Sequence, residues 1–223
     1  MMKSVKLVAV TLVVMVFSAM KVETPKKIIF FGDSITQLGV NPGGYITLLQ
    51  DQLKKQGKSA NYELVGAGIG GNKIYDLFLR LDRDVLSKKP DLVVIYVGIN
   101  DVWHKQSFGT GTDPDKFELF YSTVIEKIQA AGAQVVLCSP AVIGERTDFS
   151  NQQDGDLNRY SSIVRKLAAK HKCSLVDLRK LFLEHNLKHN PDNKESGILT
   201  TDRVHLNAAG NKLVADELAK VIF

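Results

Sequence analysis

Four short segments carry residue types that together suit nucleophilic acyl transfer. The first is Gly-Asp-Ser at residues 32–34, and the second is a glycine cluster at residues 66–71. The third is Gly-Ile-Asn-Asp at residues 98–101, and the fourth is Asp-Arg-Val-His at residues 202–205. Together they offer a hydroxyl, backbone N–H groups, a side-chain amide, a carboxylate and an imidazole, which are the groups that an acyl-transfer site requires.

Ser34 and His205 are the candidate nucleophile and base. A serine hydroxyl is a weak nucleophile until a base takes its proton, and histidine titrates in the pH range that this step needs. His205 has a carboxylate three positions before it and a strong helix pattern soon after it. One tight turn would let Asp202 accept the Nδ1–H of the ring and leave Nε2 facing Ser34. We therefore expect Ser34, Asp202 and His205 to form a catalytic triad.

The oxyanion of a tetrahedral intermediate needs hydrogen-bond donors. The candidates are the side-chain amide of Asn100, the backbone N–H of Ser34 and the backbone N–H groups of the glycine turn at residues 68–71. Each group also has a structural alternative. Ser34 could cap a helix, Asn100 could form an Asx turn at the strand end, and Asp202 could cap a turn. Asp33 is interpreted as a turn residue with no chemical role.

The elements that must position these groups alternate between strand and helix patterns. Continuous Val/Ile/Leu runs are typical of strands covered on both faces, so the alternation predicts a parallel sheet in one α/β domain spanning residues 25–223. Ligands bind such sheets at the carboxyl ends of the strands, where the four segments should converge. The predicted strands are 26–31, 62–65, 92–97, 134–138 and 174–178; the predicted helices are 45–56, 74–86, 117–131, 157–171 and 208–222; the longest predicted loops are 104–113, 141–155 and 186–202.

The composition fits an ordinary globular protein and argues against several other classes of protein. A chain of 223 residues with 44% apolar and 24% charged residues fits one ordinary globular domain. The net charge of +5 is too small to indicate a nucleic-acid partner. Two cysteines exclude a disulfide-rich scaffold, and Cys138 and Cys173 fall at opposite ends of neighbouring predicted strands, so we expect no disulfide. His185 and His189 have a zinc-like spacing but no third ligand nearby, so we expect no metal.

The first 20 residues resemble a secretory signal peptide. Two lysines are followed by an uncharged apolar run at residues 7–17 and then by Ser18 and Ala19. The run is shorter than the roughly 20 residues that a membrane-spanning helix needs. The alternatives are an uncleaved anchor and a buried first strand. We expect an exported protein, periplasmic or extracellular, whose mature form has no stable membrane insertion.

The four segments, in their order along the chain, resemble the four sequence blocks of the SGNH hydrolases, also called GDSL esterases or lipases. They are FGDSIT, the glycine turn, GIND and DRVH. The resemblance implies a three-layer flavodoxin-like fold with a parallel sheet of about five strands and helices on both faces. It also implies ester hydrolysis without a metal, and we expect no cofactor. The family's roles carry over to Ser34 as nucleophile, His205 as base, Asp202 as its partner and Asn100 as an oxyanion donor. The second-block glycine fits Gly71 best; Gly68 and Gly70 compete for the role.

Two readings from other classes of protein compete with an esterase. The pattern Gly66-x-Gly68-x-x-Gly71 after a strand matches a dinucleotide fingerprint, which would indicate an oxidoreductase. However, it follows the second strand, and Asp91 begins the next strand where an acidic residue should end it. The other reading is a non-catalytic carbohydrate-binding module. An α/β-hydrolase is disfavoured because the chain lacks a G-x-S-x-G elbow.

The sequence favours a short acyl group, such as acetyl, over a long one. The predicted loop at 104–113 is polar and should lie over the site, and no long apolar lid is visible. Trp103 is either a packing residue or a wall of the acyl pocket. The alcohol part of the ester is either a carbohydrate or a lysolipid, so a lysophospholipase or thioesterase of the same family is the alternative.

Overall fold

Five parallel strands form one sheet in the computed structural model, which describes residues 24–223. The strand order is β2-β1-β3-β4-β5, the flavodoxin-like order. The predicted α/β class and the five-stranded parallel sheet are confirmed. The predicted signal peptide at residues 1–20 lies outside the described residues. The strands are β1 (Lys26–Gly32), β2 (Tyr62–Gly68), β3 (Leu92–Tyr96), β4 (Gln134–Cys138) and β5 (Ser174–Val176).

Eight helices cover the described part of the sheet. Helix α2 packs against α8, whereas α3 packs against α5, and α5 packs against α6. Because parallel strands are joined by right-handed crossovers, these two groups cover opposite faces and make three layers. The helices are α1 (Ser34–Leu38), α2 (Tyr45–Lys55), α3 (Ile74–Asp84), α4 (Ile99–Phe108), α5 (Pro114–Ala130), α6 (Asp154–Lys170), α7 (Leu178–His189) and α8 (Ala208–Ile222).

The central strands are buried throughout, which explains their unbroken apolar sequence. Residues 28–31 of β1 and 93–96 of β3 are almost wholly inaccessible to solvent. In the register of the sheet, Gly32 pairs with Gly68 on one side and with Tyr96 on the other. The segments that follow β1, β2 and β3 therefore begin at the same level and share one edge of the sheet.

Strand β2 extends three residues beyond its predicted end, through Gly66, Ala67 and Gly68. In the sequence these glycines suggest a turn. In the structure they allow β2 to pack closely against α1. A Cβ atom on Gly68 would collide with the backbone of α1 at Thr36 and Gln37, and one on Gly66 would collide with the side chain of Val40. The small residues thus let α1 lie against β2, which places Ser34 beside the end of that strand.

The predicted loop at residues 104–113 is wrong in its first half, because α4 continues to Phe108. Gly98, with φ of 127°, turns the chain from β3 almost directly into this helix. The buried residues of α4 are the four consecutive positions 99–102, so no helical stripe of apolar residues marks it in the sequence. Gly109, in the left-handed conformation, ends the helix.

Helix α7 is not among the helices predicted from the sequence. Its first residue, Leu178, follows two positions after the end of β5, and Asp177 caps it by accepting a hydrogen bond from the N–H of Lys180. Polar Arg179 and Asn186 share its buried side with Leu178 and Phe182. These polar residues interrupt the apolar pattern that sequence reasoning depends on. The predicted loop at 186–202 therefore begins four residues too early.

Both cysteines are free thiols. Cys138 ends β4 and Cys173 immediately precedes β5, and in the register of these strands Cys138 pairs with Val176. The side chain of Cys138 is buried, and this burial raises the pKa of its thiol well above the ordinary value. No helix described for residues 24–223 is both long enough and apolar enough to cross a membrane.

Candidate active site

Ser34, His205 and Asp202 form a continuous row of hydrogen bonds. The Oγ of Ser34 lies 2.9 Å from the Nε2 of His205. The Nδ1 of His205 lies 2.7 Å from the Oδ2 of Asp202. In this arrangement the imidazole can accept the serine proton at Nε2 while it donates its Nδ1–H to the carboxylate. The structure thus brings together the three residues that the sequence suggested for the triad.

The two ends of this row come from distant parts of the chain. Ser34 is the first residue of α1, directly after β1. Asp202 and His205 occupy a tight turn whose base is an antiparallel bridge between Thr200 and Leu206. Within the turn, the N–H of Thr201 donates to the carbonyl of His205 at 2.8 Å. The turn thus presents both side chains towards the first residue of α1.

Asp202 also organises the backbone of its own turn. Its Oδ1 accepts hydrogen bonds from the N–H of Val204 at 3.1 Å and of His205 at 2.8 Å. Partial burial alone would raise the pKa of Asp202, but the hydrogen bonds from the His205 ring and from these two N–H groups outweigh it and lower the pKa below its ordinary value. The carboxylate is therefore held ionised beside the imidazole.

The donor set for an oxyanion lies around Ser34. As the first residue of α1, Ser34 has an N–H without an acceptor inside the helix. Asn100, in the first turn of α4, is buried and donates one amide hydrogen to the carbonyl of Asn72 at 3.1 Å. Because a side-chain amide has two hydrogens, the second is available to a ligand. The bond to Asn72 fixes the direction of that amide.

The glycine turn offers one donor that is already occupied and one that is not. The N–H of Gly70 donates to the Oε1 of Gln37 at 2.7 Å. Gly68 lies inside β2 and is paired with β1. Among the described residues no acceptor is recorded for the N–H of Gly71, whose φ of 77° turns the backbone out of the extended direction. The geometry therefore favours Gly71 over its two competitors as the second-block donor.

Two buried carboxyl groups lie beneath the site. Asp33 caps α1 through a hydrogen bond from the N–H of Ile35 at 2.9 Å. Burial, with a smaller contribution from the nearby Asp101, raises its pKa to about 7 against the effect of this bond. Asp101 accepts the N–H of Ile74 at 3.2 Å, and burial raises its pKa to about 6. Asp33 thus holds the backbone of α1, which begins at Ser34, and Asp101 holds the first residue of α3, just after the segment of Gly71 and Asn72.

Helix α4 supplies an aromatic rim that the sequence marked only in part. The ring of Trp103 lies edge-on to that of His205, with 6.5 Å between the ring centroids. His104 reaches towards the glycine turn, since its Cε1 lies 3.9 Å from the position of a Cβ atom on Gly71. Partial burial and nearby Lys73 lower the pKa of His104. Trp103 therefore lines the site. His104 lies beside the glycine turn, and nothing in the sequence indicated this position except that His104 follows Asn100 closely.

Glu145 is the second residue that sequence reasoning missed. Its carboxylate is fully buried and accepts the backbone N–H groups of Ile198 at 2.8 Å, Leu199 at 2.6 Å and Thr200 at 2.8 Å. These three residues lead directly into the turn that carries Asp202 and His205. In the sequence, Glu145 is an isolated acidic residue in a predicted loop, and nothing around it indicates burial.

No group of three His, Cys, Asp or Glu side chains suited to a metal ion occurs within residues 24–223. His185 and His189 lie on α7, where their ring centroids are 4.4 Å apart and the rings are tilted by 37° to each other. The hydrogen-bonded row, the polarised imidazole and the surrounding N–H donors can perform acyl transfer with protein groups alone.

Residues 30–213 match the model of the GDSL-like lipase/acylhydrolase family. An acetylxylan esterase of Geobacillus stearothermophilus is 28% identical over 214 residues, which cover 88% of this chain and 93% of the relative. The esterase TesA of Pseudomonas aeruginosa is 30% identical over 158 residues, which cover 69% of each chain.

A crystal structure of an acetyl xylan esterase, AlAXEase, is 63% identical to the chain, with a TM-score of 0.87. The likeness covers 88% of this chain and 100% of that one. The Geobacillus enzyme has been crystallised as catalytic mutants in which a serine, an aspartate or a histidine is replaced by alanine. There the aspartate precedes the histidine by three positions, the same spacing as between Asp202 and His205.

Proposed function

The chain belongs to the GDSL-like lipase/acylhydrolase family and is a serine esterase, and we propose that it removes acetyl groups from acetylated carbohydrate. The observation that carries this substrate is the likeness to an acetyl xylan esterase, at 63% identity over 88% of the chain. The row of hydrogen bonds from Ser34 to Asp202 supports the reaction type. Acetylated xylan is the polymer that the names of two relatives point to.

We propose the following roles for the site residues. His205 takes the proton of Ser34 at Nε2 as the serine Oγ attacks the ester carbonyl carbon. The resulting oxyanion accepts hydrogen bonds from the Asn100 amide and from the N–H groups of Gly71 and Ser34. Asp202 holds the ring in the tautomer that accepts the proton and stabilises the imidazolium that forms.

Collapse of the tetrahedral intermediate then breaks the bond to the sugar oxygen. That oxygen leaves as an alcohol with the proton from His205, and the acetyl group stays on Ser34 as an ester. Water enters, gives a proton to His205 and attacks the acetyl-enzyme through the same oxyanion site. The acyl group leaves as acetic acid, which loses its proton to the solvent as acetate; the proton on His205 returns to Ser34, and the resting row of hydrogen bonds forms again.

A ladder of p-nitrophenyl esters from acetyl to palmitoyl tests the acyl preference and the nucleophile together. We expect turnover to be highest for acetyl and to fall along the ladder. We expect Ser34→Ala to fold normally, shown by circular dichroism, and to lose at least about 10³-fold in kcat. A maximum at long chains would instead favour a lysophospholipase, and unchanged turnover by the variant would refute the serine mechanism.

A separate measurement tests whether the alcohol part of the ester is a carbohydrate. We expect the purified protein to release acetate from acetylated xylo-oligosaccharides, measured by proton NMR, and Ser34→Ala to release none. Acetyl-esterase activity on p-nitrophenyl acetate without any release from acetylated oligosaccharides would refute the carbohydrate substrate and leave the ester hydrolase in place.

We also propose that the protein is exported, because residues 1–20 have the charge and apolar pattern of a signal peptide. Expression of the full chain with a C-terminal tag, followed by fractionation and N-terminal sequencing, tests this. We expect a form that begins shortly after Ala19 outside the cytoplasm. Intact chain retained in the cytoplasm would contradict export.

A further inference from the structure

A cavity beside the turn of Asp202 and His205 is lined by polar side chains. It has a volume of about 190 Å³. Its charged lining residues are Arg146, Glu195 and Arg203, and its uncharged ones are Gln106, Ser150, Asn151, Gln152 and Gln153. Hydroxyl-rich and charged ligands suit such a lining, because every wall can donate or accept hydrogen bonds.

The cavity borders the two elements that flank the triad. Arg203 lies inside the turn between Asp202 and His205, where its φ of 84° is unusual for a residue with a side chain. Gln106 follows Trp103 by three residues of α4, a rise of about 4.5 Å along the helix. Trp103 contacts the ring of His205 edge-on, so the cavity borders both the helix and the turn that place side chains beside Ser34.

The charges in the cavity do not cancel. A single carboxylate, that of Glu195, serves both guanidinium groups, with its Oε1 2.9 Å from the Nε of Arg203 and its Oε2 3.6 Å from the Nη2 of Arg146. Each guanidinium has five N–H donors, so most of them are left for a ligand. Both arginine side chains are about half exposed, at 41% and 48%. The cavity therefore carries an excess positive charge that a ligand can reach.

Two of the lining side chains, Asn151 and Gln153, already make hydrogen bonds to other protein groups. The Nδ2 of Asn151 donates to the carbonyl of Arg146 at 2.7 Å and to Asp154 at 3.0 Å. The Nε2 of Gln153 donates to the carbonyl of Val102 in α4 at 3.2 Å. These bonds fix the loop that carries Arg146 against the helix. Exposed Gln106 and Gln152 remain available to hydroxyl groups.

We propose that this cavity binds an acidic sugar, a uronic acid, located next to the acetylated residue of the substrate. The inference rests on the proposed carbohydrate substrate and refines it. A guanidinium group binds a carboxylate through two parallel hydrogen bonds, which gives the strongest selectivity for an anionic over a neutral sugar. The Gln side chains bind the hydroxyl groups of the same ring.

Competition with p-nitrophenyl acetate tests the cavity without requiring turnover of a carbohydrate. The two inhibitors are an unacetylated xylo-oligosaccharide with one glucuronic acid branch and the same oligosaccharide without the branch. We expect the acidic compound to inhibit at a concentration about tenfold lower, the effect of one charge-assisted hydrogen-bond pair. Added salt should reduce this preference. Equal inhibition by the two compounds would overturn the proposal.

The matched variants are Arg146→Gln and Arg159→Gln. Arg146 lines the cavity without belonging to the turn of the triad, whereas Arg159 is an exposed arginine that lines a different cavity, on α5 and α6. We expect Arg146→Gln to abolish the acidic preference and to leave the kcat on p-nitrophenyl acetate unchanged, and Arg159→Gln to retain both. Retention of the preference by Arg146→Gln would refute the assignment.

The two proposals fail in different ways. If no acetate is released from acetylated oligosaccharides of either kind, the carbohydrate-esterase function is wrong, while the inhibition ratio still tests the cavity. If acetate is released but the two inhibitors act equally, the function stands and the uronic-acid site is wrong.

Discussion

The carboxylate of Glu145 accepts the backbone N–H of Leu199 at 2.6 Å inside the protein, where neither group reaches solvent. With the bonds to Ile198 and Thr200, it fixes the segment that leads into the turn of Asp202 and His205. A buried acidic side chain thus holds the segment that leads to His205, although it lies outside the row of hydrogen bonds from Ser34 to Asp202.

Glu145→Gln should lower both stability and turnover. A glutamine can accept through only one oxygen, so its NH2 group would face a backbone donor. A buried N–H left unpaired costs about 1–3 kcal/mol. We expect the Tm to fall by roughly 5 °C. We also expect kcat on p-nitrophenyl acetate to fall more than KM rises, because the variant displaces the His205 turn. Calorimetry and steady-state kinetics measure the two effects.

The exposed Glu184 on α7 provides the control, because its ion pair with Lys180 is long, at 3.8 Å, and lies on the surface. Glu184→Gln should leave both quantities unchanged. A Glu145→Gln variant with wild-type kcat and a lowered Tm would show that Glu145 acts on stability alone.

Asn100→Ala should lower kcat by about 10²–10³-fold, the usual effect of removing one oxyanion donor. KM should change little, because the amide contributes most when charge develops on the ester oxygen. Kinetics on p-nitrophenyl acetate measure the effect, and Asn61→Ala, at an exposed position before β2, is the control. A variant within twofold of the wild type would remove Asn100 from the proposed oxyanion site.

Gln37→Met should lower kcat moderately. The Oε1 of Gln37 holds the N–H of Gly70, next to the proposed donor Gly71, and methionine keeps the size of the side chain without the acceptor. One hydrogen bond of about 0.5–1.5 kcal/mol corresponds to a loss of roughly two- to tenfold. Gln56→Met, at the exposed end of α2, should have no effect. An unchanged rate for Gln37→Met would show that the turn keeps its shape without this bond.

Asp33→Asn should remove part of the pH dependence of stability. Because burial raises the pKa of Asp33 to about 7, the folded protein binds this proton more tightly than the unfolded chain does. The stabilising contribution of the neutral carboxyl is therefore fully present below about pH 4 and is lost as the pH rises to about 7. Asparagine keeps an acceptor for the N–H of Ile35 and cannot ionise.

We expect the Tm of Asp33→Asn, relative to the wild type, to increase between pH 4 and pH 8, measured by differential scanning calorimetry. Asp51→Asn, at an exposed position on α2, should follow the wild-type curve. Parallel curves for Asp33→Asn and the wild type would mean that folding does not raise the pKa of Asp33.

The five strands and the convergence of the site segments could be predicted because both depend on local patterns. Buried strands read as unbroken apolar runs, and Ser34, Asn100 and His205 each follow or precede such an element in a recognisable order. Parallel pairing then brings the carboxyl ends of the strands to one edge of the sheet, and this does not depend on the length or sequence of the loops. This is why the sequence identified the residues that the structure brings together.

The missed features depend on contacts that no local pattern records. Helix α4 has its buried residues in one block rather than in a stripe, and α7 buries Arg179 and Asn186 among apolar neighbours. Glu145 is buried because backbone donors more than 50 residues away converge on it. Burial of polar groups is decided by tertiary partners, and these partners are visible only in the folded protein.

Trp103 is the only tryptophan of the chain, and its ring stands edge-on to that of His205. The tryptophan fluorescence of the protein therefore arises from one position, beside the row of hydrogen bonds. Emission from this indole can report the arrival of a ligand and the proposed acetylation of Ser34 without any attached dye. The same signal can be followed in stopped-flow experiments with natural esters, which release no coloured product.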